Sequence, residues 1–335
     1  MEATKVGVVL IGRNEGERLR SCLASAGTAH WKVYVDSGSD DGSQALAHSM
    51  GFDVVDLDTS LGFTAARARN AGFKRLLEVQ DDVEFVQFID GDCELRADWL
   101  ASALADMEAQ PELAGVFGRR RERFPDKNIY HRSCDVEWAV PPGEVASCGG
   151  DVLFRTRALM QVGGYNPDLI AGEEPDLCHR LRQEGWRILS NGREMTWHDV
   201  AITSLSQWWR RTKRAGYAFA ELIDRYRGSA ESSWTRLVGS ALAWSAVLAG
   251  TLLSFLAYLV TGSPMLLGLA ALLALAVVGR IGLTAWNARR NFDNFGVALR
   301  WSALLFVSKL AQTEGAMLYL WRRRRRRKPQ LIEYK

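Results

Sequence analysis

A mostly parallel α/β domain followed by a membrane-inserted helical hairpin is the architecture this sequence predicts, and three observations carry the expectation. Residues 5 to 200 alternate short β-branched apolar runs with helix-period segments, the signature of a sheet covered by helices. Each strand-like run closes in a polar or glycine-rich loop. From Leu237 the composition turns apolar over lengths that suit a bilayer.

The predicted strands are Val6 to Ile11, Lys32 to Val35, Asp53 to Leu57 and Phe85 to Ile89. The loops after three of them are Gly12-Arg13-Asn14-Glu15, Asp36-Ser37-Gly38-Ser39-Asp40-Asp41-Gly42-Ser43 and Asp90-Gly91-Asp92. Ligands of open α/β sheets bind at the carboxyl ends of strands, so these loops are expected to gather at one site. Leu237 to Val260 carries no charge. At 1.5 Å per residue such a run spans about 36 Å, enough for a hydrocarbon core of about 30 Å. After Thr261-Gly262-Ser263-Pro264 a second apolar run reaches Trp286, interrupted by Arg280. The third, Phe295 to Trp321, contains Arg300, Lys309 and Glu314, each costly at the bilayer centre. Two spans return the chain to the side of the first domain. Arg289-Arg290 and Arg322 to Lys328 then satisfy the positive-inside rule, so the third run is expected to lie in the interface. The expected division is 1–204 for the α/β domain, 205–235 for an amphipathic interface or linker helix, 236–287 for the hairpin, and 288–335 for an interfacial amphipathic helix and basic tail.

The charge is near balance, 42 basic against 39 acidic residues, which argues against a nucleic-acid partner. Basic residues crowd late, in Arg210 to Arg214 and Arg322 to Lys328, a placement that fits anionic membrane lipids. The five cysteines include no Cys-x-x-Cys pair and read as reduced thiols. The first residues enter a strand pattern without the succession of a signal peptide, so the first domain is expected in the cytosol and the whole at the inner, cytoplasmic membrane.

Asp90 and Asp92 stand one residue apart just beyond a buried strand, where both can reach one divalent cation; oxygen ligands of this kind suit Mg2+ or Mn2+. Together with Val8 to Glu15, Val35 to Ser43, Arg69-Asn70-Ala71-Gly72 and Gly172-Glu173-Glu174-Pro175-Asp176 to Leu181, these residues occur in the order found in family 2 glycosyltransferases. Over roughly residues 5 to 215 the chain resembles that family. The resemblance implies a GT-A fold, a nucleotide-diphosphate sugar donor and inversion at the anomeric carbon.

Carried onto this sequence, the resemblance puts Asn14, Glu15, Asp36 and Asp41 around the nucleoside and Arg69 near the diphosphate. It sets Gly150 and Asp151, in Cys148-Gly149-Gly150-Asp151, against the donor sugar, and Asp90 and Asp92 on the metal. His198 falls where many relatives complete the metal site. The family's base comes from a Glu-Asp pair before a helix; here the pair is Glu173-Glu174, with Glu174 at the matching position. Processive members carry Gln-x-x-Arg-Trp near the membrane, whereas Gln207-Trp208-Trp209-Arg210-Arg211 has Arg in place of the final Trp. Transfer of a single sugar, expected from a UDP-sugar to a membrane-embedded or lipid-linked acceptor, follows, with this stretch meeting acceptor phosphate or lipid headgroups. The alternatives are a processive polysaccharide synthase or a component of one, and a catalytically silent membrane scaffold.

Overall fold

The structure is a computed structural model and describes residues 6–27 and 29–325. Of the basic tail, Arg326, Arg327 and Lys328 lie outside the described residues. The chain divides into two compact units, residues 1–201 and 202–335.

The first unit is built on one nine-stranded sheet, ordered β3-β2-β1-β4-β8-β6-β9-β5, with β7 paired to β9. The strands are β1 (Val6–Gly12), β2 (Trp31–Asp36), β3 (Asp53–Asp56), β4 (Phe85–Asp90), β5 (Cys93–Leu95), β6 (Leu113–Glu122), β7 (Gly143–Glu144), β8 (Val152–Arg155) and β9 (Arg187–His198). β1 to β4 are mutually parallel, as their apolar runs predict. The remainder is mixed: β8 runs antiparallel to both β4 and β6, while β6 and β9 are parallel. The expectation of a mostly parallel sheet therefore holds for the N-terminal half alone. Of the later strands, β6 and β9 mix charged with apolar residues, and β5, β7 and β8 are only two to four residues long, too short to announce a direction.

Helices α1 (Glu17–Ser25), α2 (Ser43–Ser49), α3 (Ala65–Val79), α4 (Trp99–Ala109), α5 (Ile129–Glu137), α6 (Thr156–Gln161) and α7 (Glu173–Gln183) complete this unit. The core is layered on β1 and β4. Phe88 meets Phe73, Phe154 and Tyr165 edge-on at 5.5 to 6.5 Å between ring centres, contacts worth about 0.5–1.5 kcal/mol each beyond burial. Because β2 and β3 lie on one side of β1 and β4 on the other, the strand order reverses beside β1. A crevice opens at the carboxyl ends where such a reversal occurs.

The second unit consists of α8 (Leu205–Arg225), α9 (Ser232–Thr261), α10 (Pro264–Ala288) and α11 (Phe295–Arg324). Ser204 caps α8 in a reciprocal box with Gln207, whose side-chain oxygen takes the backbone N–H of Thr203 and Ser204. Proline at the first position of α10 and Gly262 closing α9 at φ 67° make the turn of the hairpin. α9 and α10 are, by length and composition, long and apolar enough to cross a membrane. α11 packs on α8, α9 and α10. Its Glu314 accepts Trp209 Nε1 at 2.7 Å and pairs with Lys213, so α8 compensates the acid that makes this segment costly in lipid.

The crossing of α8 and α11 depends on two glycines. A Cβ on Gly216 would stand 2.1 Å from the Gln312 carbonyl oxygen, and one on Gly315 would stand 2.0 Å from that of Lys213. Gly315→Leu forces the backbones apart; overpacking of this kind costs about 1–3 kcal/mol, and the thermal midpoint is expected to fall by about 2 to 6 °C in a detergent-solubilised melt. An unchanged midpoint would mean that this contact does not hold the helices together.

Candidate active site

The strand ends converge as the order reversal requires. Ile11 pairs with Asp90 across β1 and β4, and Gly12 with Asp36 across β1 and β2. Gly91 N–H closes the corner onto the Ile11 carbonyl at 2.8 Å. On the β2 side, buried Asp36 accepts Tyr34 Oη at 3.0 Å, the N–H groups of Gly38 and Ser39 at 3.0 and 2.7 Å, and Gln44 Nε2 at 3.2 Å. Asn14 adopts φ 52°, a left-handed conformation that Asn tolerates. It spans the two loops, donating its N–H to Ser39 Oγ and accepting Asp40 N–H on Oδ1. Asp41 takes Gly16 N–H at 3.0 Å, and Glu15 pairs with Arg18 at 2.7 Å. Burial alone would lift the pKa of Asp41, but hydrogen bonds from Ser43 and Gly16 hold it below its ordinary value. The four residues expected around a nucleoside thus form one rigid rim over the ends of β1 and β2.

On the β4 side the centre is Arg69 of α3, 2% exposed. One guanidinium nitrogen meets Asp90 at 2.8 Å; the other meets Glu173 at 3.2 Å and Glu174 at 3.1 Å. A buried charge needs partners, and these carboxylates supply them. Gly172, at φ 82°, turns the chain into α7 and places both glutamates in its first turn, where the helix dipole favours negative charge. Burial and the neighbouring Glu173 charge nevertheless push the Glu174 pKa up to about 7, against the pull of Arg69.

A second arginine, Arg120 near the end of β6, reaches Asp90 at 3.3 Å and Asp151 at 2.9 Å. Asp151 in turn accepts Asp90 N–H and Thr196 Oγ1. Burial would raise the Asp90 pKa, but Arg69 and Arg120 outweigh it and hold the carboxyl below its ordinary value. Gly150 fits because it has no side chain: a Cβ there would lie 2.3 Å from Arg69 Nη2 and 2.8 Å from Asp90 Oδ2. Gly150→Ala is expected to displace Arg69 from Asp90 and to reduce turnover by at least about tenfold, since misplacing reacting groups by about 1 Å can cost a hundredfold. Wild-type kinetics in that variant would remove the contact from consideration.

Asp92, in the turn just before β5, lies 3.2 Å from His198 Nε2, and Cys93 pairs with His198 across β5 and β9. Burial opposes a charge on His198, yet Asp92 and Glu122 hold its pKa above the ordinary imidazole value. Among the described residues, three groups of side chains bring candidate ligand atoms within 4.8 Å of one another: Asp92, Cys93 and His198; Asp90, Cys93 and Asp151; and Glu122, His131 and Asp199. Burial pushes the Cys93 thiol well up, so the sulfur stays protonated and is a poor ligand for a hard cation. With Cys93 set aside, Asp92 and His198 remain from the first group and Asp90 and Asp151 from the second, carboxylate oxygens and an imidazole nitrogen of the kinds that suit Mn2+ or Mg2+.

The expected residues Asp90, Asp92, Gly150, Asp151, Glu173, Glu174, Arg69 and His198 thus come together. Gln207 to Arg211 belong to the second unit. There Gln207 serves the α8 cap, Trp208 is buried, Trp209 is bonded to Glu314, and Arg210 is exposed. Sequence reasoning missed Arg120, Glu122 and His131. The signal for the first two was available: in Arg119-Arg120-Arg121-Glu122 alternate residues share a face, so Arg120 and Glu122 point to one side of the strand.

Residues 8–152 match the family model described as glycosyl transferase family 2. Proteins from two strains of Mycobacterium tuberculosis, each named a pre-mycofactocin glycosyltransferase, are 29% identical over 274 residues, covering 76% of this chain and 55% of theirs. The chain thus matches about half the length of those curated relatives. Among solved structures, a mannosyltransferase from Pyrobaculum calidifontis in complex with GDP-Man and Mn2+ superposes with a TM-score of 0.66 at 18% identity, covering 95% of this chain and 87% of the other, a likeness of fold.

Proposed function

Because this chain is a family 2 glycosyltransferase of GT-A fold, we propose that it transfers a single sugar, with inversion, from a nucleotide-diphosphate donor to an acceptor presented at a membrane. One observation carries the reading: a single buried guanidinium, Arg69, holds both the strand-end carboxylate Asp90 and the glutamate pair of α7. A candidate cation site and a candidate base are thereby locked to each other. Asn14, Asp36 and Asp41 shape the nucleoside rim, and Gly150 lets the loop before β8 approach the reacting centre. Glu174 takes the proton of the acceptor hydroxyl as it attacks the anomeric carbon from the side opposite the diphosphate. Arg69 and Glu173 tune its proton affinity. Asp90, Asp92 and His198 would hold Mn2+ or Mg2+, which when bound stabilises charge on the leaving diphosphate.

The donor is a UDP-sugar in this reading, and α9 and α10 span the inner membrane with the first unit in the cytosol. That places the enzyme where a lipid-linked acceptor diffuses in two dimensions, near anionic lipids that attract the late arginines. The name of the mycobacterial relatives favours a second acceptor, a pre-mycofactocin-type molecule. The deciding experiment incubates membranes containing the enzyme with radiolabelled UDP-sugars and GDP-Man and measures label in the lipid-extractable and water-soluble fractions. Label in lipid supports the first reading; soluble label alone supports the second; long product ladders indicate a processive synthase. No metal-dependent nucleotide-sugar binding and no product would leave a silent scaffold.

The pH dependence follows from Glu174. A base works as the carboxylate, and below its pKa of about 7 it carries a proton. The single-turnover rate is therefore expected to rise about tenfold per unit as pH increases toward 7 and to level off above it. A rate that is flat from pH 5.5 to 8 would exclude Glu174 as the base.

A further inference from the structure

We propose that Glu122 is a positioning residue for the cation site, a buried carboxylate that fixes the ring of His198 so that Nε2 stays turned toward Asp92. The inference rests on His198 being a cation ligand, as in the function proposed above.

The placement is set by the sheet. Glu122 is the last residue of β6 and stands directly opposite His198, the last residue of β9. It is wholly buried, and its carboxylate is held at several points. Oε1 meets His131 Nδ1 at 2.8 Å and accepts Phe124 N–H at 3.1 Å; Oε2 accepts Val200 N–H at 3.1 Å. Its own N–H donates to Asp135, one turn beyond His131 on α5. Such a clamp leaves the carboxylate no freedom to turn away.

The remaining direction of Oε2 faces His198 Nδ1 at 3.8 Å. That nitrogen is buried and has no hydrogen-bond partner among the described residues. An approach of about 0.8 Å would bring it to hydrogen-bonding distance. Nε2, on the other side of the ring, lies 3.2 Å from Asp92, and the Trp138 indole packs edge-on against the imidazole at 4.6 Å. A histidine that ligates through Nε2 must carry its proton on Nδ1, and an acceptor there selects this tautomer and the ring orientation. Glu122 is the carboxylate placed to do so, with His131 bracing it from behind.

The test measures Mn2+ affinity of the full chain in detergent with saturating UDP, by electron paramagnetic resonance of free Mn2+. Glu122→Ala is expected to raise the Mn2+ dissociation constant about 10- to 100-fold, the range for loss of a carboxylate behind a ligating histidine. Glu122→Asp, which keeps the charge, should restore part of the affinity, and it carries the test where the alanine variant fails to fold. In a His198→Ala background either change at position 122 should have no further effect. If His198→Ala itself leaves Mn2+ affinity unchanged, the ligand assignment fails. If His198→Ala weakens binding but position 122 has no influence, or weakens binding equally without His198, the positioning role is overturned.

Discussion

Glu174→Gln is expected to lower the single-turnover rate of sugar transfer by about a thousandfold while nucleotide-sugar affinity stays within about threefold. The amide is nearly isosteric, so the first turn of α7 keeps its shape, but it cannot accept the acceptor's proton. Arg69 retains Asp90 and Glu173 as partners, at 2.8 and 3.2 Å, so the guanidinium remains compensated. Rapid-quench measurement with preloaded donor checks this. Glu173→Gln is the paired control. Glu173 also touches Arg69 and is 4% exposed, and its loss should reduce the neighbouring charge that lifts the Glu174 pKa. The rise of the pH profile should then move to lower pH with a smaller fall in rate. If the glutamine at 173 is the more damaging, the base is Glu173.

Asp92→Ala should remove measurable transfer, a loss of at least two to three orders of magnitude in kcat/KM, and with it Mn2+ binding in the presence of nucleotide. The carboxylate is nearly buried and faces His198, so the variant deletes one proposed ligand and frees the other. Chelation of the wild type should reproduce the loss and added Mn2+ should reverse it, whereas added Mn2+ should not rescue the variant. Since Asp92 is remote in sequence from α9 and α10, sedimentation with membranes should be unaltered. Transfer that survives both chelation and the substitution would show that the strand-end carboxylates do not bind a cation.

The candidate site was legible where a residue's placement follows from a local pattern. Asp90 and Asp92 follow a short apolar run that reads as a buried strand, and the glutamate pair opens a helix with a glycine before it. The rim of Asn14, Asp36 and Asp41 was likewise readable, because Gly, Asp, Ser and Asn after strands announce tight turns that present backbone N–H groups. Arg69 was expected near the diphosphate; the fold buries it between Asp90 and the two glutamates, where it joins the halves of the site. Gln207 was read for its spacing to Arg210, while in the structure its side chain closes the N-terminus of α8.

The limits of that legibility have a physical origin. Local pattern alone settles the ends of β1 to β4 and the apolar runs inside α9 and α10, since these depend on periodicity, turn chemistry and apolar run length within a few neighbouring residues. It could not tell a solvated charge from a buried one: Arg69, Arg120 and Glu122 look like surface residues in the chain. Only the tertiary structure supplied their partners from distant segments, 21 to 105 residues away for Arg69, 30 or more for Arg120, and up to 78 for Glu122. The same holds for the sheet. Parallel order in β1 to β4 agrees with the alternation of short apolar runs and helical segments, but β8 between β4 and β6, and the pairing of Glu122 with His198, are choices of register that non-local packing makes.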